Sequence, residues 1–164
     1  MKKGKTAVAS LLIVLVTLGL DQWTKWAIER SIALNDSVEM IKHFFYLTYV
    51  RNTGAGFSMF AGAGMGFFAA LTIIALVGMV YMVFKTDDSR YQICLSLVFS
   101  GAIGNFIDRM TLGFVRDFFS FYIFGYPFPV FNVADICITV GIALILVSMF
   151  IDDKKEHERW KQES

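Results

Sequence analysis

Residues 65–84 read MGFFAALTIIALVGMVYMVF, a run with no charged side chain that ends only at Lys85. A helix needs about 20 apolar residues to cross the hydrocarbon of a bilayer, so this stretch is read as a membrane span. It sits inside a longer charge-free segment, Asn52 to Phe84, and three further charge-free runs flank it: Thr6–Leu20, Tyr91–Ile107 and Ile136–Ile151. Three of the four are short for the purpose, so polar residues at their outer ends are expected at membrane depth.

The composition agrees. The chain has 164 residues, 56% hydrophobic and 18% charged, with 17 phenylalanines and only 2 prolines. Soluble domains carry more charge. The mean hydropathy is +0.58. Disorder, collagen-like sequence and a disulfide scaffold are excluded. With 15 basic and 14 acidic residues there is no concentrated basic face, so no nucleic-acid partner is expected. Cys94 and Cys137 lie in apolar runs and read as small buried hydrophobes. His43 and His157 stand apart, which argues against a zinc site.

The expected fold is an all-α membrane protein of four transmembrane helices, about residues 6–24, 65–84, 91–107 and 133–151, forming a single polytopic domain. Outer loops 25–64 and 108–132 would carry a small extracytoplasmic β-sheet, the cradle, and a short extracytoplasmic helix. Phe44–Val50 is aromatic and β-branched, which favours strand, while Asp21–Ile32 can continue as helix and could serve as a lid. Ala61–Gly64 reads as a hinge into the second span. Nine of the lysines and arginines fall in the two tails and the Lys85–Arg90 loop, and six in the much longer outer loops. Both termini are therefore expected in the cytoplasm. The first span has the basic start of a signal peptide but no small-residue cleavage site after it, so a retained anchor is expected.

The chemistry concentrates beside the outer ends of the spans. On a helix, Gly101, Asn105 and Arg109 share a stripe, and Gly101 and Gly104 permit close helix approach. Asn132, Asp135 and Thr139 share a face of the fourth span, where Asn132 could also cap the helix with Asp135 three residues on. Asp21–Lys25 reads as an i,i+4 interfacial pair worth a few tenths of a kcal/mol, and Asp108–Arg109 as charges that end a helix. Asp117 is harder to explain as a solvated group, because Val115 and Phe118-Phe119 surround it. Together with Asp135 it makes a plausible dyad. Two carboxylates close together in low dielectric cannot both ionise, so the pair holds one shared proton. One member can then activate water while the other polarises a peptide carbonyl. The alternative is a four-span transporter or channel with Asp117 and Asp135 as a cation or proton site, but acids clustered at one surface rather than at the midplane disfavour it. A non-catalytic scaffold would leave the pairing unexplained.

Five motifs follow one another: Asp21-Gln22-Trp23-Thr24-Lys25, Arg51-Asn52-Thr53-Gly54-Ala55, Gly101-Ala102-Ile103-Gly104-Asn105-Phe106-Ile107-Asp108-Arg109, Gly113-x-Val115-x-Asp117-Phe118 and Pro129-x-Phe131-Asn132-x-Ala134-Asp135. In this order and spacing the chain resembles, over nearly its whole length, the bacterial lipoprotein signal peptidases (signal peptidase II). The resemblance implies an aspartic endopeptidase of the cell membrane that removes the signal peptide of prolipoproteins on the N-terminal side of a diacylglyceryl-modified cysteine. It places the catalytic pair on Asp117 and Asp135. Asp21, Lys25, Asn52, Gly54, Asn105, Arg109, Asn132 and Ala134 match positions that bind substrate or support the site. It further implies no metal or organic cofactor, membrane lipid as surroundings, inhibition by globomycin-like cyclic peptides, and a monomer with its active site on the extracytoplasmic face. One departure is visible: the second box usually continues with alanine and phenylalanine, whereas Gly56 precedes Phe57 here.

Overall fold

A computed structural model describes residues 2–54 and 64–163. Four long helices carry the chain: α1 Lys2–Ser31, α2 Gly64–Lys85, α3 Ser89–Leu112 and α4 Val133–Glu163. Each contains a stretch long and apolar enough to cross a membrane. Their outward faces carry Leu11, Leu15, Ile74, Val77, Leu146 and Phe150, all more than half exposed or close to it. A large apolar surface of this kind is at home in lipid, not in water.

Side-chain pairs fix the helix directions. Thr6 bonds Ser89, and Thr17 bonds Ser100, so α1 and α3 run parallel. Arg90 of α3 reaches Asp152 of α4, whereas Asn105 reaches Asp135, so α4 runs back. The chain's two tails and the α2–α3 turn therefore share one end. The other end, the site end, is where α1 and α3 finish and α4 begins, and it holds all the strands among the described residues.

The helices come together where side chains are smallest. A Cβ on Gly104 would stand 2.5 Å from the Asp21 carboxylate, and one on Gly101 would run into the Ala134 carbonyl. Absent side chains let α1, α3 and α4 approach closely, as small residues do in membrane bundles. At Gly113 the backbone turns left-handed (φ 84°) and its N–H caps Arg109 O, ending α3 and releasing the chain into strand.

The strands β1 Ser37–Ile41, β2 Phe45–Asn52, β3 Val115–Ile123 and β4 Tyr126–Pro127 form an antiparallel sheet in sequence order. Phe45 pairs with Phe121 and Leu47 with Phe119, but beyond a bulge Val50 pairs with Asp117. One extra residue in β2 thus re-aims its last residues, a common use of bulges beside sites. Phe131 exchanges backbone bonds with Phe119, which pins the start of α4 against β3. The sheet's core is Ile28, Ile32, Tyr49 and Phe118, with Leu47, Phe119 and Val133 packed on it.

The helices outrun their charge-free runs: at the site end the polar residues Asp21, Lys25, Asn105 and Asp108 pair inside the bundle, whereas α4 continues to Glu163 through an exposed charged stretch. As expected, Asp21–Ile32 continues as helix: it is the last third of α1, with Ile32 just past its end, and no separate short outer helix stands among the described residues. Asp21, Lys25, Ile28 and Ile32 make one buried face of it, so packing holds it in place. The Ala61–Gly64 hinge and the departure at Gly56 lie outside the described residues, apart from Gly64, which opens α2.

Candidate active site

Asp117 comes from β3 and Asp135 from the first turn of α4. The amide of Asn132 stands between them: its Nδ2 donates to Asp117 Oδ1 at 2.6 Å, while its Oδ1 accepts the Asp135 N–H at 3.0 Å and its N–H donates to Asp135 Oδ2 at 3.2 Å. This is a reciprocal capping box. The capping reading of Asp135 is thus realised by one carboxylate oxygen, which leaves the other free to point elsewhere. That other oxygen, Oδ1, accepts from Asn105 Nδ2 at 2.8 Å.

Asn105 is oriented in turn by Lys25, whose ammonium donates to Asn105 Oδ1 at 3.0 Å. Lys25 is fully buried, 2.8 Å from Asp21 and 3.6 Å from Asp108. The expectation of a weak interfacial Asp21–Lys25 pair is corrected: two carboxylates and the Asn105 amide surround a fully buried cation, so removing the cation leaves buried carboxylate charge uncompensated in low dielectric. Asp21 Oδ1 also accepts the Ala134 N–H at 2.9 Å. Ala134 is completely buried between the helices, which leaves no room for a larger residue.

On the other side of Asp117, Asn52 Nδ2 donates to Oδ2 at 2.9 Å, and Asn52 Oδ1 accepts the Gly54 N–H at 2.9 Å. Arg109 closes the circuit by donating to Gly54 O at 2.8 Å, with its guanidinium 5.1 Å from the Phe68 ring of α2. Arg109 is thus a clamp on the β2 end. Every residue singled out for the site in the sequence belongs to this one hydrogen-bonded assembly.

Burial and the neighbouring Asp135 charge push the Asp117 carboxyl up to about 7, against the opposing pull of the Asn52 and Asn132 amides and Lys25. A carboxyl in that range can hold a proton near neutral pH. The pair opens into a cleft of roughly 460 Å³ whose walls include Phe128, Phe131, Ile136, Thr139 and Val140. Ile136 and Val140 are also partly exposed on the outward face of α4, so the cleft runs from the carboxylates to the lipid-facing surface.

Sequence reading missed three members of the surroundings. Asp108, read with Arg109 as a charge that ends a helix, is fully buried. It is bridged to Arg116 and accepts from Gln22 at 3.3 Å. Arg116 also meets Glu29 of α1 at 3.0 Å. The one available signal was a lone arginine beside Asp117 in a largely apolar segment, where a buried cation has to find an acid.

Four helices able to cross a membrane, with Asp117 and Asp135 bridged by Asn132 at one end, describe a polytopic membrane protein with an acidic cleft. Residues 13–151 match the family model for signal peptidase (SPase) II. Lipoprotein signal peptidases from the bovine and Newman strains of Staphylococcus aureus are each 43% identical to it over 155 residues, covering 91% of this chain and 93% of theirs. Two solved structures, bacterial membrane enzymes determined in meso at 2.3 and 1.9 Å, superpose with TM-scores of 0.84 and 0.77 at 41% and 42% identity. They cover 90% and 86% of this chain, and 90% and 92% of their own. The chain belongs to the signal peptidase II family, multi-pass bacterial membrane proteases that remove signal peptides from prolipoproteins.

Proposed function

We propose that the chain does this as an aspartic endopeptidase, with Asp117 and Asp135 as the catalytic dyad, cutting on the N-terminal side of the diacylglyceryl-modified cysteine. The observation that carries the reading is the arrangement of the two carboxylates about Asn132 at the floor of a cleft that opens to lipid. Burial and the Asp135 charge favour the proton on Asp117. Asp135 takes the proton of the attacking water as the Asp117 carboxyl donates toward the scissile carbonyl oxygen. The tetrahedral intermediate then collapses as the proton on Asp135 passes to the leaving amine and a hydroxyl of the intermediate returns its proton to Asp117, so the pair again holds one shared proton.

The remaining residues hold this geometry. Asn52, Gly54 and Arg109 fix the β2 end against Asp117, while Asp21, Lys25, Asn105, Asn132 and Ala134 fix Asp135. The apolar wall from Phe131 to Val140 suits a substrate whose acyl chains remain in lipid while its peptide bond reaches the carboxylates. Globomycin-like cyclic peptides would compete for the same cleft. The loop lysine and arginine bias supports cytoplasmic termini, which would place the site end on the extracytoplasmic face. One chain supplies every group in the circuit, so a monomeric, single-domain working unit suffices.

The decisive test uses purified Asp117→Asn and Asp135→Asn proteins in detergent with a diacylglyceryl-modified precursor. Both should fold and fall at least about a thousandfold in kcat, by the scale of losing an essential catalytic group. Full activity in either variant would falsify the dyad.

A further inference from the structure

The residue before Asp117 faces the other way, and its guanidinium is engaged on three sides by Asp108, Glu29 and Gln22. Arg116 donates to Asp108 from its backbone N–H at 3.0 Å, from Nε at 3.1 Å and from Nη2 at 2.8 Å. The same guanidinium donates through Nη1 to Glu29 at 3.0 Å and through Nη2 to Gln22 at 3.2 Å. Its carbonyl lies 3.3 Å from Asn132 Nδ2, the amide that holds Asp117. One buried side chain thus joins β3 to α3 and α1, directly behind the proposed acid.

Successive strand residues point to opposite faces, so whatever fixes Arg116 on the rear fixes the direction of Asp117 on the front. The fork of Arg116 on Asp108 is bidentate, which sets orientation as well as distance. Backbone hydrogen bonds to β2 alone leave a strand free to twist, and the β2 bulge lies beside this point. We infer that Arg116 is a positioning residue for the dyad: its Asp108–Glu29 clamp sets how Asp117 addresses Asp135. This inference rests on the dyad reading above. The charged groups that face Arg116 are Asp108 of α3 and Glu29 of α1, both bonded to it directly, while Lys25 of α1, Arg109 of α3 and Asp135 of α4 face Asp117.

A positioning role makes a kinetic demand that a purely structural one does not. Displacing a reacting group by about 1 Å costs on the order of a hundredfold in rate. In the full-length protein, Arg116→Met should lower kcat tenfold to a hundredfold per folded molecule, measured on the lipidated precursor, with KM within about twofold. Its alkaline pH limb should move, because the coupling between the carboxyls depends on their approach. Arg116→Lys keeps the charge but cannot bridge Asp108, Glu29 and Gln22 together; it should recover part of the rate and stay severalfold below wild type. Glu29→Gln, which loosens only the outer half of the clamp, should fall between. Wild-type kcat and pH profile in Arg116→Met overturn the inference, as does a change confined to KM. If Arg116→Met does not fold, wild-type kcat and pH profile in Arg116→Lys overturn it instead. None of these results touches the dyad, which stands or falls with Asp117→Asn and Asp135→Asn.

Discussion

Asp117 carries a cost as well as a proposed role. Its carboxyl ionises near 7 in the folded protein, whereas an unfolded aspartate ionises near 4. Between those values the folded state holds a proton the unfolded state has lost, so stability falls as pH rises through the window, and above about 7 the full loss is felt. The upper bound is about 4 kcal/mol at roughly 1.4 kcal/mol per tenfold change in proton affinity. Asp117→Asn removes this cost. Its melting temperature relative to wild type, followed by thermal unfolding in detergent, should therefore rise from about pH 4.5 to pH 8; a constant difference would count against a raised carboxyl. The same pairing predicts that wild-type kcat declines above about pH 7, as the shared proton is lost. Lys25 has the opposite sign of importance. Lys25→Met would leave Asp21 and Asp108 facing each other without the buried cation, at a cost of about 3 kcal/mol or more. By contrast Arg90, paired with Asp88 and Asp152 but 45% exposed, should contribute about 1 kcal/mol or less on mutation to alanine.

At the scale of elements, three glycine positions separate packing from propensity. Gly101 and Gly104 lie where α3 meets α4 and α1, while Gly78 of α2 has nothing within 4 Å of an added Cβ. Gly101→Ala should lower the melting temperature and detach the Ala134 backbone from Asp21, because a rigid carbonyl stands in the way. Gly78→Ala should be neutral or gain up to about 1 kcal/mol in helix propensity. Equal effects at both sites would contradict the close approach of α3 and α4. The helices themselves were legible in the sequence because lipid selects for a local property, a run without charge. The cradle was half legible: Phe44–Val50 announces β2, whereas β1, with every residue exposed, and the β3 segment around Arg116 and Asp117 carry no clean alternation. β3 is buried along most of its length, so the polar–apolar rhythm that marks a strand is missing.

For the molecule as a whole, orientation and substrate chemistry follow from where charge and apolar surface lie. A cysteine added after Ser164 should react only with a membrane-permeable reagent in intact cells; labelling by an impermeant one would invert the proposed topology. An unlipidated precursor should be cleaved much more slowly than the lipidated form, since the cleft continues into the lipid-facing wall of Ile136 and Val140. Equal rates would remove the lipid from recognition. The sequence by itself determined four spans, the five motifs in order and the two carboxylates that stand out in apolar surroundings, because each is a matter of local composition or short spacing. Only the tertiary structure decided which charges meet. Asp108 pairs with Arg116 and Lys25 rather than with its neighbour Arg109, and Arg109 instead holds Gly54. Lys25 lies buried among three acceptors rather than at an interface. Lys25 meets Asn105 about eighty positions along the chain, and such pairings depend on how closely glycine-lined helices approach, which no local pattern encodes.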